Sequence, residues 1–271
     1  MNLPYIIPRF IRKLTPAPLI NALLQKGIFM KPGLETGEPK AALSQYLKIL
    51  EKQNFSIEGK TCLLFGYGGY FALACMLLEK GAAHVILCDK YAYPYKENLT
   101  LLPKYKKYLK YKYNQIIPHS DFITLHHADI KEYYPSNAID VILSMSVFEH
   151  LQNVKDTVQA LSALTNSQGI HIHFIDLRDH YFKYPFEMLC YSEQTWHKWL
   201  NPSSHLNRYR MQDYQSIFES YFLDIQIKIL ERNLEEFQAI HSRIDKKFLT
   251  GDDNLDSVTN LLIIAKKPCK E

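Results

Sequence analysis

The sequence predicts an α/β fold built on a doubly wound, mostly parallel sheet, and three observations carry that expectation. The run LLFGYGGYF at 63–71 is an apolar strand-like stretch that breaks into Gly66, Gly68 and Gly69 and resumes as an apolar helix. From Lys60 onward, short apolar runs alternate with amphipathic segments (TCLLFG, YFALACMLLEKG, HVILCD), the order of strand, helix and strand. The chain closes with two more apolar runs, YFLDIQIKIL and SVTNLLIIAKK, on either side of a long polar stretch. A length of 271 residues buries one sizeable core without requiring a second independent one.

Taken in order, residues 1–58 read as helical pieces broken at Pro16, Pro18, Pro32 and Pro39, with AALSQYLKILEKQ showing apolar positions at helical spacing. They are expected to form a lid or wall. The main domain, 59–271, opens with a strand–helix–strand unit whose helix stops at Gly81. The alternation continues through FITLHHAD, IDVILSMS, the helical pattern VFEHLQNVKDTVQALSAL and the strand GIHIHFIDL. Residues 177–208 change rhythm, being rich in aromatic and polar side chains, and are expected to be an insertion. A helix over 209–221 precedes the closing strands.

The composition, 47% hydrophobic and 22% charged, excludes disorder and fibrous architectures. A net charge of +4 is too weak to demand a nucleic acid. Five cysteines without a CxxC pair point to a reducing cytoplasm. The N-terminal MNLPYIIPRFIRKL is interrupted by prolines and basic residues, so neither a signal-peptide core nor a membrane span is expected.

A strand that ends in glycines and feeds a helix lets the backbone approach a ligand closely, which favours a nucleotide-type cofactor. The dinucleotide pattern GxGxxG would need glycine at 71, where Phe71 stands. Asp89, at the end of the next strand, sits where an acid accepts ribose hydroxyl hydrogen bonds. With LLFGYGGY, the HADI segment at 127–130, IDVILSMSVFEHL and the closing strand pair, the chain from about Thr61 to Lys267 resembles the class I S-adenosylmethionine-dependent methyltransferases. The resemblance implies a Rossmann-like, mostly parallel seven-stranded sheet with an antiparallel last strand, and S-adenosyl-L-methionine as cofactor. It implies cofactor contacts from Gly66, Tyr67, Gly68, Gly69, Asp89, Asp129, Ile130 and Ser144. Two departures stand out: Leu64 occupies the place of the acid that meets the methionine amino group, and Tyr70 replaces the third glycine.

Ligands of open α/β sheets sit beyond the carboxyl ends of the strands. There, His150 is the candidate base, expected to open a helix, and Glu149 reads as a first-turn acid. The run FIDLRDHYF gathers Asp176, Arg178, Asp179 and His180 into an expected acceptor-binding or catalytic cluster. It resembles, together with HLNRYR at 205–210, a bacterial subset of the same methyltransferases. His171 and His173 have metal-ligand spacing, but without a third ligand in sequence they read as interior histidines, and no metal is implied. KYKKYLKYKY at 104–113 reads as a helix with a solvated lysine face. The expected function is methyl transfer to a small-molecule acceptor, with no nucleic-acid partner. The alternatives are an RNA methyltransferase tracking along 104–113 and a non-catalytic module that keeps the fold.

Overall fold

The computed structural model describes residues 2–14, 34–135, 137–180, 183–201 and 206–269. Among the described residues the main sheet contains seven of nine strands: β1 (Thr61–Phe65), β2 (His84–Cys88), β5 (Ile123–His126), β6 (Ile139–Met145), β7 (Thr165–Asp176), β8 (Phe222–Arg232) and β9 (Val258–Pro268). They lie in the order β5-β2-β1-β6-β7-β9-β8. The first five pair in parallel, with Cys62 opposite Val85 on one side and Val141 on the other. β9, the last strand in the chain, inserts antiparallel between β7 and β8, with Ile170 opposite Lys266 and Phe222 opposite Pro268.

The inner strands β1 and β2 are almost wholly apolar because both faces are covered. In β1, Cys62 and Leu64 enter one core and Leu63 and Phe65 the other, as the two-residue repeat of a strand requires. The first core is closed by α2 (Pro39–Lys52), through Ala42, Tyr46 and Leu50, and by α3 (Ala72–Glu79). The second is closed by α4 (Val154–Leu164) and α5 (Met211–Glu219). Proline at the first position of α2 costs no hydrogen bond there. In α4 the Asn153 side chain caps the amide of Asp156. Cys62, Cys75 and Cys88 are buried, and burial pushes each thiol up to about 12.

A third, smaller core joins distant parts of the chain. Tyr5 of α1 (Leu3–Leu14) packs with Phe186, Met188, Trp196 and Leu206 of the insertion and with Phe237 of α6 (Leu234–Ile240). Arg9 of α1 and Tyr5 both bond the buried Asp179. Asp179 is thereby removed from the cluster that FIDLRDHYF suggested and ties α1 to the loop after β7. Arg208 and Arg210 are buried and donate to main-chain carbonyls of the insertion and the sheet. His205 of the same run, and the N-terminal stretch 15–33, lie outside the described residues.

Two expectations are corrected. KYKKYLKYKY is a single helical turn (Leu102–Tyr105) followed by a hairpin of β3 (Leu109–Lys112) and β4 (Gln115–Pro118). Tyr113 and Asn114 form its two-residue turn, both at positive φ, as the twist of a tight hairpin demands. Four residues of strand are too short for their alternation to differ from one face of a helix. His150 does not open a helix: it ends a short 3-10 turn, Phe148–His150, and α4 starts at Val154.

Candidate active site

The glycine loop follows β1 directly. Gly66, Gly68 and Gly69 all have positive φ, a conformation that side chains disfavour. A Cβ on Gly66 would stand 2.3 Å from Val147 Cγ2, and one on Gly68 would stand 2.7 Å from Thr36 Oγ1. The loop is held by side chains that arrive from elsewhere. Asp89, after β2, accepts from the Gly68 amide at 3.1 Å and from the amides of Tyr91 and Ala92. Buried Asn98 accepts from the Phe71 amide at 2.8 Å and donates to the Gly69 carbonyl at 2.9 Å. Tyr67 turns away from the loop and stacks on Phe71 in the first core.

Thr36 belongs to the turn Leu34–Gly37, whose Glu35 is buried and accepts from the Tyr46 hydroxyl of α2. Burial raises the Glu35 carboxyl to about 8, the hydrogen bond from Tyr46 opposing it. Nothing in the sequence signalled that an acid at 35 would be buried beside the segment lying on the loop.

Beyond β5, Asp129 caps the turn Ile130–Glu132 by accepting from the Lys131 amide. Partial burial works against its charge, but that amide, Lys131 and Lys90 together hold it below the ordinary carboxyl value. The Ile130 side chain is buried in the second core. Ser144 faces inward as well. Its hydroxyl lies 2.7 Å from His173 Nδ1, His173 Nε2 lies 3.1 Å from His171 Nδ1, and His171 Nε2 lies 2.7 Å from Thr165 Oγ1. Because Thr165 donates to the Leu161 carbonyl, it accepts from His171, and the direction of every bond in the chain is set. Both imidazoles are then neutral; burial lowers His171 to about 3 and His173 well below its usual value. This pair reads as an internal, satisfied network, as the sequence suggested.

The next residue but one, Ser146, is left at the mouth, with φ 56 and its amide on the Phe174 carbonyl. Such strain in a non-glycine residue gathers at ligand sites. Ser146 borders a cavity of about 480 Å³ beyond the ends of β6 and β7, lined also by Gln45, Asp176, Arg178, Glu231 and Asn260. Asp176 accepts from Arg178 Nε at 2.9 Å and Nη2 at 2.7 Å, a bidentate pair. Glu231 lies 3.8 Å from the same guanidinium and accepts from Asn260. Glu231 and Asn260 reach the cavity from the closing strands, which no local signal revealed.

Behind this pair lie Glu149, His150 and His180. The two imidazole rings are 4.8 Å apart, edge to face. Burial, and after it the neighbouring His150, lowers His180 to about 4. Burial drives the Glu149 carboxyl well above its ordinary value, with the Asp176 charge adding to the effect. Asn207, from the end of the insertion, fixes this turn: its amide donates to the Glu149 carbonyl at 2.8 Å and its side chain to the carbonyls of Phe148 and Leu151. Of the five residues expected in catalysis or acceptor binding, His150 lies beside His180 and Asp176 beside Arg178, while Asp179 is turned to Arg9.

An adenosine-bearing sulfonium fits these residues. A Cβ-free loop with positive φ, a carboxylate bound to that loop at the end of β2, and a polar cavity past β6 are the three parts it needs.

Comparisons agree. Residues 65–173 match the family model of the methyltransferase domain. Phosphoethanolamine N-methyltransferase 2 from Haemonchus contortus, solved with phosphomonomethylethanolamine and S-adenosylhomocysteine, has a TM-score of 0.51 at 16% identity, over 83% of this chain and 53% of that chain. An S-adenosylmethionine dependent methyltransferase from Mesorhizobium loti scores 0.46 at 12% identity, covering 80% of this chain and 95% of that one. N-methyltransferase NodS from Bradyrhizobium japonicum, solved with S-adenosylhomocysteine, scores 0.45 at 10% identity, with 87% and 90% covered. Such identities speak to the fold alone. No curated protein matches the sequence. Residues 65–173, which include the glycine loop, are thus similar to a methyltransferase domain, and the sheet around them, with its antiparallel last strand set inside an otherwise parallel order, has the Rossmann-like fold of such domains.

Proposed function

We propose that the acceptor is a small polar molecule bound in the cavity between Ser146, Asp176, Arg178 and Glu231. The cavity itself supports this reading: about 480 Å³ is the scale of a metabolite-sized ligand, and its polar groups converge from four different elements. Gln45 of α2 contributes to the wall, as does Arg178 at the start of the insertion around 177–208.

The cofactor, when bound, supplies an electrophilic methyl group on sulfur. The chain's own residues then bind and align. Gly66, Gly68 and Gly69 supply a positive-φ main chain close beside Val147, Thr36 and Tyr93, and Asp89 offers carboxylate acceptors to a ribose. Asp129 and the main chain at Ile130 border the expected adenine position. Ser144 supports the strand end through His173. The Arg178 guanidinium, already pinned by Asp176, holds an anionic or carbonyl group of the acceptor. Glu231 orients a donor. A proton lost from the acceptor passes to Asp176 or to the His150–His180 pair, whose neutral His180 has a lone pair to offer.

The test is methyl-labelled S-adenosylmethionine incubated with separated small-molecule and RNA pools. Label in the small-molecule fraction that disappears with Glu231→Ala supports the assignment. Label recovered only in RNA, in a salt-sensitive manner, overturns it in favour of nucleic acid.

A further inference from the structure

We propose that Glu149, His150 and His180 bind one divalent cation of the zinc class, beside the acceptor cavity. One ligand atom from each residue lies within 4.8 Å of the others. Donors around a tetrahedral ion with bonds of about 2.1 Å stand roughly 3.4 Å apart, so small side-chain rotations close the set.

The second observation is independent of that distance. Glu149 is 2% exposed, and neither of its carboxylate oxygens has a hydrogen-bond partner. Its own amide, the Asp176 amide and the Ser146 hydroxyl lie near it, but none meets hydrogen-bond geometry with either oxygen. A buried carboxylate is normally paired, hydrogen-bonded or on a metal. Here the imidazoles of His150 and His180 converge on the same carboxylate.

The scaffold on both sides is rigid. Asn207 clamps the Phe148–His150 turn through three main-chain bonds. Asp179, next to His180, is buried against Arg9 and Tyr5. Around the site Arg178 is paired with Asp176 and Arg9 with Asp179, so a bound cation would be answered by the Glu149 carboxylate, which it would hold ionised. Two imidazoles with one carboxylate suit zinc, iron or manganese better than magnesium, and three protein ligands leave a coordination position open. That position, next to Ser146 and Asp176, would take an acceptor hydroxyl and make its proton easier to lose; Asp176 is then the group left to receive it.

The experiment uses the full-length, untagged protein, stripped with chelator and titrated with zinc chloride against a competing dye. A parallel titration with cobalt(II) reports coordination through its visible spectrum. Neither needs cofactor nor acceptor, so the outcome is separate from that of the methyl-transfer assay. One equivalent per chain is expected. Replacing an outer-shell partner costs 10–100-fold, so losing a ligand in His150→Ala/His180→Ala weakens zinc by at least ~100-fold. Cys190→Ser/Cys269→Ser should retain wild-type affinity. The proposal is overturned if wild type shows no saturable zinc binding, if the double histidine variant binds as wild type does, or if the cysteine variant loses the site. Both histidines are half-buried, so their removal leaves the cores intact.

Discussion

The Asp89 carboxylate receives the Gly68 amide at 3.1 Å, joining the loop after β1 to the loop after β2. One residue therefore sets the shape of the glycine loop and presents acceptors to a ribose. Asp89→Ala should weaken S-adenosylmethionine binding by ~1.5–3 kcal/mol, the worth of hydrogen bonds to a charged group. Titration calorimetry reads this directly, and unchanged affinity would remove Asp89 from the site.

His150→Ala should slow turnover by ~100-fold, the lower end of a proton-transfer or cation-assisted contribution, with little change in cofactor affinity. Single-turnover kinetics at saturating cofactor separates the two effects. Wild-type rates would return His150 to a structural role.

Breaking the buried contact between Arg9 and Asp179 leaves one charge uncompensated. Asp179→Ala should destabilise the third core by about 3–5 kcal/mol. Urea unfolding followed by Trp196 fluorescence measures it, since Trp196 sits beneath Arg9. A loss below 1 kcal/mol would show that α1 is held by its apolar face alone.

Two buried groups give opposite pH slopes. Glu35 titrates at about 8 when folded and at its ordinary 4.5 when unfolded, so its neutral form favours the fold and stability falls as pH rises from 4.5 to 8. His171 titrates at about 3 when folded and 6.5 when unfolded, so stability falls as pH drops from 6.5 towards 3. Glu35→Gln should reduce the loss between 4.5 and 8, leaving the share due to Glu149, and keep the acid limb. Thermal melts across pH 3–9 give the comparison; a wild-type-like slope in Glu35→Gln would contradict the burial of that carboxyl.

What could be read in advance follows from physics that is local in sequence. The apolar period of TCLLF and HVILC, and the glycines between them, announced β1, the loop and β2, because strand alternation and positive φ are written in consecutive residues. Asp176 and Arg178 were legible for the same reason: they follow a strand directly. Asp179 was not, since its partners Arg9 and Tyr5 lie some 170 positions away. Glu231, Asn260 and Gln45 reach the cavity only once β8, β9 and α2 have docked. The Lys-Tyr run misled because four alternating residues of hairpin are too few to separate a period of two from one of 3.6.

The central claim is that a methyl-donating sulfonium nucleoside lies along Gly66–Gly69 with its sugar on Asp89. A crystal structure with S-adenosylhomocysteine tests it most directly. The account predicts ribose hydroxyls within hydrogen-bond distance of the Asp89 carboxylate and the homocysteine arm against the glycine loop, pointing to Ser146. A ligand bound elsewhere, or a loop closed to millimolar ligand by Tyr93 and Tyr95, which already lie on Gly69, would contradict it.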